Sequence, residues 1–189
     1  TTTIKAKVFG IGNEPENKTV SVTLTKAVLQ EAKPLKEYEQ GLTYDYFEGK
    51  WRETKDMLAT NVVKTGKTAD IIIDTGDKKD YFGYRYKGYI KIEKDGIYKF
   101  YLKSDDGSVL TINGQKIVDN DGLHSAEAYE SGAVGLRAGM HPVEILYFDR
   151  GWDKSLELSF SGPGTVKQPV NSTMFFRLKG EQVSDKSNE

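Results

Sequence analysis

The stretch YKFYLKSDDGSVLTINGQKIVDN, from Tyr98 to Asn120, constrains the fold more than any other part of this chain. Tyr98, Phe100 and Leu102 alternate with Lys99, Tyr101 and Lys103, the period-two pattern of a strand with one face on a core. Ser104-Asp105-Asp106-Gly107-Ser108 reads as an acidic turn into a second strand. Asn113-Gly114 is a strong hairpin signal, because both positions tolerate positive φ. The spacing therefore predicts an antiparallel meander with two adjacent carboxylates at one end. The loop begun by Val118-Asp119-Asn120-Asp121-Gly122-Leu123-His124 can come near that end.

Strand-and-turn rhythm continues on both sides. Tyr84, Tyr86, Tyr89, Ile90 and Ile92 form an alternating run, and Lys94-Asp95-Gly96 is a turn feeding the Tyr98 strand. Ile71 to Ile73 is a short β-branched run. Further strands are expected at 132–136, 143–148, 156–160 and 173–178, separated by glycine turns. The 11 tyrosines and 19 glycines suit a turn-rich β chain, and no long amphipathic helix competes. We expect an all-β antiparallel sandwich, or squashed barrel, over residues 41–178, with a polar tail over 179–189. Upstream, Ile4, Ala6 and Val8, then Val20, Val22 and Leu24, predict an N-terminal β-hairpin over 1–26. Two strands alone are marginal in water, so this hairpin is expected to belong to a larger sheet. Residues 27–40, polar and interrupted by Pro34, read as a linker. The chain opens Thr1-Thr2-Thr3, and we expect it to be part of a longer protein.

Charge and composition remove several function classes. A net charge of -1 provides no field for nucleic acid or an anionic membrane surface. With no cysteine and only His124 and His141, a structural zinc cluster is not expected. No apolar run reaches membrane-spanning length. Partners expected from these readings exclude nucleic acid and membrane insertion.

Candidate chemistry gathers around the acidic turn. Asp105 and Asp106 offer hard oxygens suited to Ca²⁺, although Asp-Gly is a good turn dipeptide in its own right. The Asp119-Asn120-Asp121-Gly122 run lacks the glutamate spacing of an EF-hand, which is rejected. Trp152 sits in Asp149-Arg150-Gly151-Trp152-Asp153-Lys154, a polar loop between strands. It would either stack on a sugar face, flanked by Asp153 and Arg150, or fold back as a lid on the core. His124 would hydrogen-bond a ligand or a neighbouring backbone group. His141, ahead of Pro142 at a strand start, reads as structural. Adjacent Asp105 and Asp106 cannot straddle a glycosidic bond as paired catalytic carboxylates do, so catalysis is not expected.

Several linked strings resemble one family. GLTYDYFEGKW, then YKFYLKSDDGSVLTINGQKIVDNDGLH, GAVGL, AGMHPVEI and LEL, in that order, are similar to the protective-antigen fourteen-kilodalton domain family over roughly residues 41–178. The resemblance implies a β-sandwich module attached to glycosidases, toxins or surface adhesins. In the adhesin branch an Asp-Asp pair joined by a cis peptide holds calcium, which binds sugar hydroxyls. By position that pair would be Asp105 and Asp106. The N-terminal TTIKAKVFGIG and NKTVSVTLTK resemble the last strands of the fibronectin-like module beside chitobiase-type β-hexosaminidases. Together these imply a non-catalytic carbohydrate-binding module of a secreted bacterial glycoside hydrolase, located outside the cytoplasm. Its implied partners are a glycan and the catalytic domain of the same parent chain, with Ca²⁺ as the implied cofactor. Its sugar-binding candidates are Asp105, Asp106, Asp121, His124, Trp152 and Asp153. The alternative is a structural module packing on the parent enzyme without binding sugar alone.

Overall fold

The computed structural model describes residues 2–8, 18–24, 28–34, 37–73 and 80–180. Strands β1 (Thr2–Val8) and β2 (Lys18–Leu24) pair antiparallel with Ile4 opposite Val22, forming their own two-stranded sheet. Residues 9–17 between them lie outside the described residues, as does 181–189 of the polar tail.

The main body contains β3 (Tyr38–Gln40), β4 (Leu42–Glu48), α1 (Thr54–Leu58), β5 (Lys64–Thr68), β6 (Phe82–Ile92) and β7 (Gly96–Asp105). It continues with β8 (Ser108–Ile112), β9 (Gln115–Asn120), β10 (Glu127–Leu136), β11 (Gly139–Asp149), β12 (Ser155–Gly162), β13 (Thr165–Pro169) and β14 (Phe175–Leu178). One sheet runs β10-β7-β12-β13. The other runs β3-β14-β6-β11-β8-β9, with β4 joining β5 to β6. All named pairings are antiparallel, and the sheets are not closed into a barrel. The architecture is the open sandwich rather than the squashed barrel.

Alternation builds this core. Along β7, Tyr98, Phe100 and Leu102 are buried at every second position, and Leu158 and Phe160 on β12 lie beside them. From the facing sheet come Tyr86, Ile90, Leu110, Ile112, Ile145 and Tyr147. Stacked and edge-on rings run through this layer, with Tyr84 and Tyr86 centred 5.3 Å apart and Phe82 edge-on to Tyr84 at 5.8 Å. Such pairs add about 0.5–1.5 kcal/mol each beyond area burial. A smaller apolar cluster of Phe47, Trp51, Met57, Val109, Leu146 and Phe148 lies where α1 meets β11.

The Ile71–Ile73 run is not a strand; the Ile72 carbonyl instead accepts the buried Tyr86 hydroxyl at 2.5 Å. The expected strand at 173–178 begins later, at Phe175, because Asn171 caps a short 3₁₀ turn over Ser172–Met174. Its side-chain oxygen accepts the Thr173 amide at 3.0 Å.

Candidate functional site

The three strands predicted as a meander all form, but only β8 and β9 pair as neighbours, because β7 lies in the other sheet. The acidic turn that links the two sheets lies at one end of the sandwich. β7 stops at Asp105 and β8 starts at Ser108, so Asp106-Gly107 is the whole link between strands of different sheets. Gly107 is required by crowding: a Cβ there would lie 2.5 Å from the Phe148 ring and 2.8 Å from the Gly122 backbone. Behind the turn, the Ser104 and Ser108 hydroxyls meet at 2.6 Å, and Asn120 donates its amide to Ser104 at 3.0 Å. All three are buried, so this network anchors the turn on a satisfied polar base. The Asp105–Asp106 peptide is cis.

The two carboxylates have different surroundings. Asp106 is buried, with Oδ2 accepting the Arg150 amide at 2.8 Å and Oδ1 accepting the His124 amide at 3.3 Å. It thus ties the 121–126 loop and the 150–154 loop to one turn. Asp105 is only partly covered, and its backbone carbonyl accepts the Tyr147 hydroxyl at 2.7 Å. Burial, then the charge of Asp106, push its carboxyl above the ordinary range, against the lowering pull of the Ala126 amide; Asp153 adds to the rise. This pattern is an excess of negative charge, which a cation or a cluster of hydroxyl donors would relieve.

The remaining predicted residues separate into two groups. Trp152 is 96% exposed at φ 78°, so it stands clear of the core and is no lid. Asp153 beside it is exposed, and its charge reaches Asp105. His124 places Nε2 2.9 Å from the Asn120 carbonyl and Nδ1 3.0 Å from the Ser125 carbonyl. Carbonyls only accept, so the two contacts are both satisfied only by the protonated ring, which they favour. Burial pulls its pKa down, but these two bonds and the charges of Asp106 and Asp105 outweigh that and raise it. Asp121 turns away from the acidic pair to α1, where it accepts the Thr54 amide at 2.9 Å and the Thr54 hydroxyl at 2.8 Å. Its carboxylate fastens α1 to the loop after β9.

Asp149 is a participant with a faint sequence signal, an acid closing the apolar run Val143–Phe148. It is fully buried; Oδ2 accepts the Tyr81 amide at 3.1 Å, while Oδ1 has no hydrogen-bond partner. Burial raises its carboxyl above the ordinary range. Nearby, Lys154 is held by Asp80 at 2.8 Å. Among the described residues, no group of three or more His, Asp or Glu side chains is arranged to hold a metal ion. The donor chemistry available to a hard cation is the Asp105–Asp106 pair. The rest of a calcium shell would have to come from backbone carbonyls, water or ligand hydroxyls.

A family model described as the PA14 domain matches residues 38–173. No curated protein matches the chain. Among solved structures, the PA14 domain of the MpAFP antifreeze protein superposes with a TM-score of 0.65 at 19% identity, covering 82% of this chain and 100% of that one. A PA14 sugar-binding domain from an RTX adhesin gives 0.59 at 20% identity, over 73% of this chain and 98% of its own. The epithelial adhesin 9 A domain from Candida glabrata, in complex with Galβ1-4GlcNAc, gives 0.59 at 14% identity, over 79% and 95%. At these identities the likeness is one of fold.

Proposed function

The chain belongs to the PA14 domain family, and from that premise we propose that it is a non-catalytic carbohydrate-binding module whose ligand end is the acidic turn. The observation that carries this reading is the pairing of a rigidly backed, charge-rich carboxylate pair with a fully presented Trp152 at 96% exposure. Sugars offer vicinal hydroxyls to carboxylates and a C–H face to an indole. Trp152 supplies the stacking face, Asp105 accepts hydroxyl protons, and the exposed Asp153 closes the rim. Sugar-binding adhesin domains among the structures of similar fold support the reading.

The finer proposals are these. Calcium, when bound at Asp105 and Asp106, would supply a positive centre for ligand hydroxyls. The parent protein is a secreted bacterial glycoside hydrolase of chitobiase or β-hexosaminidase type, with the β1–β2 pair as the end of its fibronectin-like module. The catalytic domain of that parent is the module's second partner, and the module works outside the cytoplasm. No helix among the described residues is long and apolar enough to cross a membrane.

One observation favours the alternative of a structural module packing on its parent. Both oxygens of Asp106 already accept backbone amides, so this carboxylate braces two loops whether or not a ligand is present. A glycan array probed with and without millimolar Ca²⁺ separates the readings. Binding that weakens in Asp105→Asn and in Trp152→Ala supports the module as a lectin. Absence of any signal under both conditions supports the packing role.

A further inference from the structure

The segment read as a linker is docked on the sandwich. The Gln30 amide donates to the Gly135 carbonyl at 2.8 Å, the Arg137 amide returns to the Gln30 carbonyl at 3.0 Å, and the Lys33 amide donates to Met140 at 2.8 Å. These bonds make Gln30 a parallel bridge to Leu136 and Lys33 an antiparallel bridge to Met140. The seat is cut to fit. A Cβ on Gly135 would lie 2.7 Å from the Val28 carbonyl, and one on Gly139 would lie 2.5 Å from the Ala32 Cβ.

Side chains lock the same segment. Gln30 donates to Gln115 at 2.7 Å and accepts from the Asn113 amide at 2.7 Å. That Asn113 nitrogen also lies 2.9 Å from His141 Nδ1, and His141 Nε2 lies 2.8 Å from the Arg137 carbonyl. Since the carbonyl must accept, Nε2 carries the proton and Nδ1 accepts from Asn113, which leaves one amide hydrogen for Gln30. The chain of bonds thus runs from the fully buried His141 to the docked segment. Arg137 adds exposed pairs to Glu31 and Asp95, which contribute little on their own.

We propose that residues 28–34 are a strap that mounts the β1–β2 sheet at the pole opposite the acidic turn. Three facts carry this. The strap lies outside the 38–173 family match. Only residues 25–27 separate Leu24 at the end of β2 from Val28, so β2 ends within about 14 Å of the seat, at roughly 3.6 Å per residue. Gly135 and Gly139 flank the β10–β11 turn, whereas Asp105 and Asp149 close the far ends of β7 and β11. The 10 residues of β7 put about 30 Å between the poles. The β1–β2 sheet is therefore held behind the sandwich, and the Asp105–Asp106 end faces outward. This mounting holds whether or not that end takes a glycan.

The chain has no cysteine, so Ser21→Cys and Lys91→Cys give two unique sites for spin labels. A single narrow distance distribution is expected. It should widen at least about twofold in Gln30→Ala/Ala32→Arg, which removes the side-chain lock and overfills the gap facing Gly139. In the same variant the amides of Gln30, Lys33 and Arg137 should exchange with solvent at least about 100-fold faster while those of Ile145 and Tyr147 stay protected. A broad distribution in the unmodified chain overturns the proposal. So does a narrow one that survives the double variant, and so does release of the core amides together with the strap.

Discussion

At the residue scale, Asp106 and Trp152 have opposite liabilities, although Asp106 holds the backbone only two residues before Trp152. Asp106 is buried and accepts two amides, so Asp106→Ala removes two charge-assisted bonds and leaves two donors unpaired. A loss of about 2–4 kcal/mol is expected, read as a lower denaturant midpoint. Trp152 has almost nothing to lose on truncation, being 96% exposed. Trp152→Ala should leave the thermal midpoint within about a degree of the parent, while weakening glycan binding about tenfold or more, as central aromatic anchors do. Gly107→Ala should cost about 1–3 kcal/mol from overpacking against Phe148 and Gly122. A wild-type melting curve for that variant would show that the turn has more room than its distances allow.

At the scale of elements, the two histidines work in opposite directions. His141 at the start of β11 is buried as a neutral ring, its pKa lowered by burial despite the Arg137 carbonyl. Below the ordinary value of 6.5 the unfolded chain takes up a proton that the folded chain refuses. Stability from this site is therefore whole above that pH and falls as pH drops toward the lowered value. His124, in the loop after β9, is raised, so its contribution is present below 6.5 and is lost as pH rises through its folded pKa. Denaturant midpoints from pH 4.5 to 8.5 for His141→Gln and His124→Gln should diverge from the parent at opposite ends of the range. Matching profiles would contradict the two hydrogen-bond assignments.

The same scale shows what could be read from the residues alone. The β8–β9 hairpin was legible because its pairing is local and Asn113-Gly114 marks its turn. The alternation of β7 was equally legible, but β7 is no neighbour of β8 in a meander, since it pairs with β10 and β12 while β8 pairs with β11. No local pattern encodes that exchange. Ile71–Ile73 had strand composition but ends as a carbonyl acceptor for the Tyr86 hydroxyl, a choice made by a group fourteen positions away. The strap at 28–34 was invisible because its partners, Gly135 in an expected strand and Gly139 in an expected turn, look ordinary until the backbone above them is seen. In the candidate site, the Asp105–Asp106 pair and Trp152 were legible as types in a spacing. The separation of Asp121 from them was not, because Thr54, which holds it, is 67 positions distant.

At the scale of the whole molecule, the sandwich has two poles: a mounted end around Gly135 and Gly139, and a presented end around Asp105, Asp106 and Trp152. Calcium dependence belongs here, because a cation at the presented end would tie β7, the 121–126 loop and the 150–154 loop together. If the pair takes Ca²⁺, millimolar ion should raise the thermal midpoint of the parent chain but not of Asp105→Asn, in line with ligand binding to the folded state alone. No shift in the parent would remove the metal from the account and leave the sugar reading to direct contacts. The location of the ligand end can be read by chemical-shift mapping of the labelled chain during titration with an array-selected glycan. Perturbed amides are expected at 105–107, 124–126 and 150–154, with those of Gly96, Arg137 and Gly139 unmoved. Perturbations confined to the strap pole, or none anywhere at millimolar glycan, would contradict it.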